Sequence, residues 1–296
     1  MFELGNCYQN GIGTDIDYQM AFKLYQMAAN LGNVPGINNL GNCYQNGIGT
    51  EIDHQEAFKL YQKAAELGNA SGLYNLGRCY QDGIGTRIDN QKAFELYQMA
   101  ANLEDKDAIY MLGYCYLNGI GADINNQKAF EIYQKAANLE NKDAIYMLGY
   151  CYKNGVGTDI DCKKAFQLYQ KAADLDHILG IYTLGHCYQD GIGTSIDNKK
   201  AFKLYQKAAN LKNKDAICML GYCYQKGIGT DIDYQKAFEL YQKAANLGND
   251  IAQCNLGDMY KFGVGTTKNV DQAIYWYNKS AVNGNKDAQR ELTNLM

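Results

Sequence analysis

Apolar positions along the chain alternate between two helical patterns. In DKDAIYMLGYCY, residues Ile109, Leu112, Gly113 and Tyr116 stand at i, i+3, i+4 and i+7, which predicts an amphipathic helix, here called helix A. In QKAFEIYQKAANL, residues Ala129, Phe130, Ile132, Tyr133, Ala136 and Ala137 make a broader stripe, as expected of a helix B packed on more than one side. Between them NGIGADINN supplies Gly119 and Gly121, which suit positive φ and turn the intervening Ile inward. An Asp or Asn precedes every helix B, at Asp17, Asp53, Asp89, Asn125, Asp161, Asp197, Asp233 and Asn269, where its side chain can accept from the first free amide groups.

This unit recurs. A Leu-Gly pair returns every 36 residues, with glycines at Gly5, Gly41, Gly77, Gly113, Gly149, Gly185, Gly221 and Gly257. Self-similarity at that period predicts an all-α solenoid of eight 36-residue helix-turn-helix repeats that bury their apolar faces against each other. With no linker-like stretch, residues 1–296 read as a single array. Its first repeat begins inside helix A, since Met1 aligns with Ile37. At the other end Tyr275, Trp276 and Ser280 depart from the pattern, and residues 286–296 place Thr293 in the glycine column, which predicts a C-terminal capping helix. The repeated Gly allows close approach of helix A to its neighbour. Tyr25, Tyr61, Tyr97, Tyr133, Tyr169, Tyr205, Tyr241 and Tyr277 read as core tyrosines whose hydroxyls reach a polar edge.

Charge narrows the partners. The net charge is −4, and lysines alternate with Asp, Glu and Asn instead of forming a basic stripe, so neither nucleic acid nor a membrane surface is expected as a partner. No apolar run approaches the roughly 20 residues needed to span a bilayer, and the start lacks a leader pattern, so a cytoplasmic location is expected. Seven of the ten cysteines (Cys7, Cys43, Cys79, Cys115, Cys151, Cys187 and Cys223) share one column. Stacked helices place such positions on the order of 10 Å apart, beyond the reach of a disulfide. The column therefore predicts a ladder of reduced thiols.

Chemistry is sparse. The G-x-G of the connector follows no strand, so it does not read as a phosphate cradle. His54, His177 and His186 are the three histidines, with no H-E-x-x-H or C-x-x-C spacing, and Cys162 reads as a tolerated surface thiol at the start of a helix B. No enzyme, metal site or cofactor is expected.

A unit reading A-x-x-x-L-G-x-x-Y-x-x-G-x-G and then K-A-F-x-L-Y-x-K-A-A resembles the Sel-one-like repeat family, relatives of the tetratricopeptide repeats. Leu112, Gly113, Tyr116, Gly119, Gly121, Ala129, Tyr133, Ala136 and Ala137 carry the resemblance in one repeat, and it covers essentially the whole chain. It implies a right-handed α/α superhelix with helices A on the concave side, and an adaptor or scaffold role, including in signalling proteins. Secreted, cysteine-rich members that bind penicillins join each repeat with a cysteine pair. The corresponding places here hold Ala29 and Ile37, or Ala101 and Ile109.

The resemblance also implies where a partner touches: six and three residues before the repeat glycine, and one and four after it. At about 100° per residue these positions cluster roughly 40° to 120° from the glycine, beside the packed face. Early repeats offer Asn38, Asn42, Gln45, Tyr74, Arg78 and Gln81 there. Middle repeats offer Tyr110, Tyr114, Tyr146, Tyr150, Tyr182 and Tyr222, with Met111, Met147 and Met219 alongside, and with Asp107, Asp143 and Asp215 near the helix starts; His186 lies beside this strip. Tyr with Met suits a peptide or partner helix. Two alternatives stand beside that reading: the tyrosines pack as satellite core, or the array self-assembles into a structural polymer and not a monomeric adaptor.

Overall fold

A computed structural model describes residues 1–295, which contain 17 helices and no strand. Helices A are α1 (Phe2–Asn10), α3 (Val34–Asn46), α5 (Ala70–Asp82), α7 (Lys106–Asn118), α9 (Lys142–Asn154), α11 (Ile178–Asp190), α13 (Lys214–Lys226) and α15 (Asp250–Phe262). Helices B are α2 (Tyr18–Asn30), α4 (His54–Glu66), α6 (Asn90–Asn102), α8 (Asn126–Asn138), α10 (Cys162–Asp174), α12 (Asn198–Asn210), α14 (Tyr234–Asn246) and α16 (Val270–Val282). Lys286–Leu295 forms α17.

The chain divides into two compact units. The first comprises Met1–Cys151 with Gly155–Asp159, and the second Tyr152–Asn154 with the residues from Ile160 onward. In the first, neighbour contacts run unbroken from α1 to α8; in the second, they run from α10 to α17. Each unit is thus an α/α solenoid built from neighbour contacts. In the second, Ala288 and Leu292 of α17 join Cys254, Ala273 and Tyr277 in one cluster, so α17 packs its apolar face on α16.

Helix boundaries follow the marked residues. Asp17, Asp53, Asp89 and their equivalents through Asn269 cap the B helices by accepting from backbone N–H groups. The A helices have caps of their own: Asn33, Asn69, Asp105, Asn141, Asn213 and Asn249, with His177 using Nδ1 to accept from the Gly180 N–H at 3.0 Å. In the connector Gly119 ends α7 at φ 70°, and a Cβ on Gly121 would overlap the backbone carbonyl of Asn90 at the start of the preceding helix B. Ile48 and Ile84 of this loop pack half-buried into the apolar clusters, as the inward turn predicts.

The core is narrow and regular. The eight tyrosines from Tyr25 to Tyr277 are 0–1% exposed, beside fully buried alanines such as Ala57, Ala93 and Ala129. Cys43, Cys79, Cys115, Cys151, Cys187 and Cys223 are buried free thiols, whose pKa values burial pushes up to about 11 to 12. They act as small apolar side chains. Cys162 is exposed at the start of α10.

Candidate functional site

The site grows out of the Gly-Tyr contact. A Cβ added to Gly41 would lie 2.8 Å from Cε1 of Tyr61, and one on Gly113 would lie 2.8 Å from Cε1 of Tyr133. The glycine is therefore a socket for the core tyrosine of the same repeat, which carries the ring across helix A to the face beyond. There the hydroxyl is received by the residues one and four after the glycine. Tyr61 donates to Asn42 Oδ1 at 2.7 Å and Gln45 Oε1 at 2.9 Å; Tyr25 does the same with Asn6 and Gln9. Tyr97, Tyr205 and Tyr241 donate to Gln81, Gln189 and Gln225, and Tyr277 to Asp258.

This alters the expected early surface. Asn42, Gln45 and Gln81 hold core tyrosines in place. Asn38, expected in an open groove, is 6% exposed, and its Oδ1 accepts from Asn75 Nδ2 at 2.9 Å. Asn39 likewise donates to Asn6 at 3.2 Å, so successive A helices are joined by an asparagine ladder. Amide groups committed in this way form the wall of the solenoid. Arg78 is half-exposed, with its guanidinium 3.9 Å from Asp82.

Further along the first unit the face turns aromatic. Tyr74 and Tyr110 are half-buried, their rings tilted on Tyr97 and Tyr133 at centroid separations of 6.0 and 5.9 Å. Both pack and look outward. Burial, opposed at Tyr74 by Arg78 and reinforced at Tyr110 by Asp143, raises both hydroxyls, Tyr110 to about 12. Tyr114 and Tyr146 are half-buried and Tyr150 is 40% exposed. Asp143 is half-buried, whereas Asp107 stands exposed at the start of α7 and accepts from Asn141 Nδ2 at 2.7 Å. That bond ties the cap of one A helix to the first turn of the preceding one. Asn249 holds Asp215 in the same manner at 2.8 Å in the second unit.

In the second unit Tyr182 and His186 meet edge to face at 4.6 Å, with Tyr205 5.3 Å from His186. Burial lowers the His186 pKa and Lys153 adds to that, while Asp190 opposes it. Tyr222 is half-buried on α13. Among the described residues no three His, Cys, Asp or Glu are arranged to hold a metal ion, and no helix is long and apolar enough to cross a membrane.

The fourth repeat departs from this hydroxyl pattern. In the fourth repeat the residue four after the glycine is Leu117 and that one after it is Tyr114, and the buried hydroxyl of Tyr133 has no hydrogen-bond partner.

The Sel1 repeat model matches residues 1–33, 34–69, 70–105, 106–141, 142–177, 179–213, 214–249 and 250–285. The chain belongs to the Sel1 repeat family. Its structure is similar to that of c5321, a protective antigen of uropathogenic Escherichia coli strains with an SLR fold, at 33% identity and a TM-score of 0.74 over 99% of this chain. The match spans 63% of the antigen's length. A Sel1 repeat protein from Oxalobacter formigenes matches at 26% identity and TM-score 0.71, covering 100% of this chain and 85% of its own. An immunity protein from Pseudomonas aeruginosa shares the fold at 22% identity and TM-score 0.53, with 74% and 82% covered. No curated protein matches the chain. Sel1 repeats are generally non-catalytic scaffolds, and the ring-in-socket contact explains the recurring Gly and Tyr of this chain.

Proposed function

We propose that this Sel1 repeat protein is a non-catalytic, cytoplasmic adaptor that binds a peptide or partner helix on the helix A face. The carrying observation is the change along that face in the first unit: an asparagine ladder bonded to itself gives way to the part-exposed Tyr74, Tyr110, Tyr114, Tyr146 and Tyr150. Aromatic side chains that are already half ordered by packing offer large contact area at small entropy cost, as interface anchors do. Free thiols throughout the cysteine column fit a reducing compartment.

Affinity capture with wild type and a Tyr114→Ala/Tyr150→Ala double variant tests the reading. Specific partners are expected to be lost from the variant while its circular dichroism is unchanged. Identical capture by both, together with a light-scattering mass that climbs with concentration, would refute it in favour of self-assembly.

A further inference from the structure

Two independent features meet on α7. The first is the orphaned Tyr133 hydroxyl. In five other repeats that group donates to a glutamine oxygen four residues after the glycine, from Tyr25, Tyr61, Tyr97, Tyr205 and Tyr241. Here the ring sits in the same Gly113 socket and is 0% exposed, so its hydroxyl is delivered to the same face, where Leu117 stands in place of the glutamine. A buried hydroxyl left unpaired costs about 1–3 kcal/mol, and an acceptor brought by a partner would remove that cost. A backbone carbonyl of an extended segment is such an acceptor, once the half-buried Leu117 changes rotamer.

The second is charge. Asp105, Asp107 and Asp143 gather at the starts of α7 and α9, and Asp143 acts on Tyr110 as well as on Asp107. Partial desolvation and the Asp105 charge, with a smaller push from Asp143, raise the Asp107 carboxyl, and Lys106 only partly opposes them. The Asn141 amide that reaches Asp107 fills one acceptor site of a carboxylate without neutralising it. Lys106 is solvent-exposed, and a long exposed ammonium side chain compensates the Asp107 carboxylate weakly.

Resting on the adaptor reading above, we infer that the occupant of this face is an extended, arginine-bearing protein segment. Its guanidinium stacks on the Tyr110 and Tyr114 rings beside Asp107 and Asp143, and a backbone carbonyl next to it accepts from Tyr133. Arginine fits better than lysine because its planar group both stacks on tyrosine and donates in-plane to carboxylates.

The test uses an array of immobilised random dodecapeptides probed with the labelled full chain, each variant first matched to wild type by circular dichroism. Peptides whose retention depends on Tyr114, read with Tyr114→Ala, are expected to be enriched in arginine. Their binding is expected to fall roughly tenfold in Asp107→Asn/Asp143→Asn. It is expected to fall about fivefold in Leu117→Gln, which supplies Tyr133 with an internal acceptor. Tyr114-dependent peptides without arginine enrichment, or with full binding to the Asp double variant or to Leu117→Gln, overturn this inference and leave the adaptor reading standing. If no retained peptide depends on Tyr114, both fall.

Discussion

Removing one oxygen atom from two equivalent tyrosines should change stability in opposite directions. The Tyr61 hydroxyl shares its one proton between Asn42 at 2.7 Å and Gln45 at 2.9 Å, side chains that are half-buried and can recover some hydration when the bond is lost. At about 0.5–1.5 kcal/mol net per hydrogen bond, Tyr61→Phe should destabilise by about 1–2 kcal/mol. The Tyr133 hydroxyl is equally buried and has no partner, so Tyr133→Phe removes a desolvated group without breaking a bond. It should be neutral or stabilising by about 1 kcal/mol. Leu117→Gln should convert Tyr133 to the Tyr61 case, so that Tyr133→Phe made on that background becomes destabilising. Since repeat arrays can unfold in parts, local hydrogen exchange is the better assay than a single global midpoint. Amides of α3 and α4 report the first substitution and those of α7 and α8 the second. Equal loss of protection around both sites would refute the argument that Tyr133 is unsatisfied.

Two further expectations concern other positions. Glu104 and Glu140 follow their B helices at φ 61° and 57°, where Gly32 and Gly68 stand in earlier repeats. Left-handed backbone costs a side-chain-bearing residue about 1–2 kcal/mol, partly offset by glycine's greater chain entropy. Glu140→Gly should therefore raise the urea midpoint by an amount equivalent to about 0.5–1 kcal/mol, and a lowered midpoint would contradict it. His186 has a folded pKa below its ordinary 6.5 because burial disfavours the cation. The unfolded chain then binds the proton more readily, so this contribution is complete above 6.5 and is lost as pH falls below it toward the folded value. His186→Tyr, which installs the residue of the Tyr114 and Tyr150 column, should flatten the decline of the melting midpoint between about pH 7 and 5. An unchanged slope would mean that His186 does not carry it.

The helices, their B-helix caps and the burial of the tyrosine and cysteine columns were legible because each is a local pattern multiplied by repetition. A period of 36 residues averages out accidents at single positions, and what survives is what packing requires. The helix A face is less legible for the same reason. The resemblance and the helical angle placed Asn38, Asn42 and Arg78 on an open face, yet Asn38 is buried under Asn75, and Asn42 accepts from Tyr61 across 19 residues of sequence. No periodicity within one helix records a bond between two. A trace in the sequence is that Gln at four after the glycine accompanies Tyr in the core, at Gln45 with Tyr61 and Gln189 with Tyr205, and that an apolar Leu117 replaces it at Tyr133. A column can vary because solvent tolerates any residue there, or because the core accepts more than one solution. These have opposite consequences for binding. Asn38 and Asn42 belong to the second kind, since their polar atoms are already engaged inside the wall. Tyr114 and Leu117 belong to neither, because they leave a core hydroxyl unsatisfied, and a defect of that sort on a part-exposed aromatic face is better evidence for an occupant than divergence between repeats.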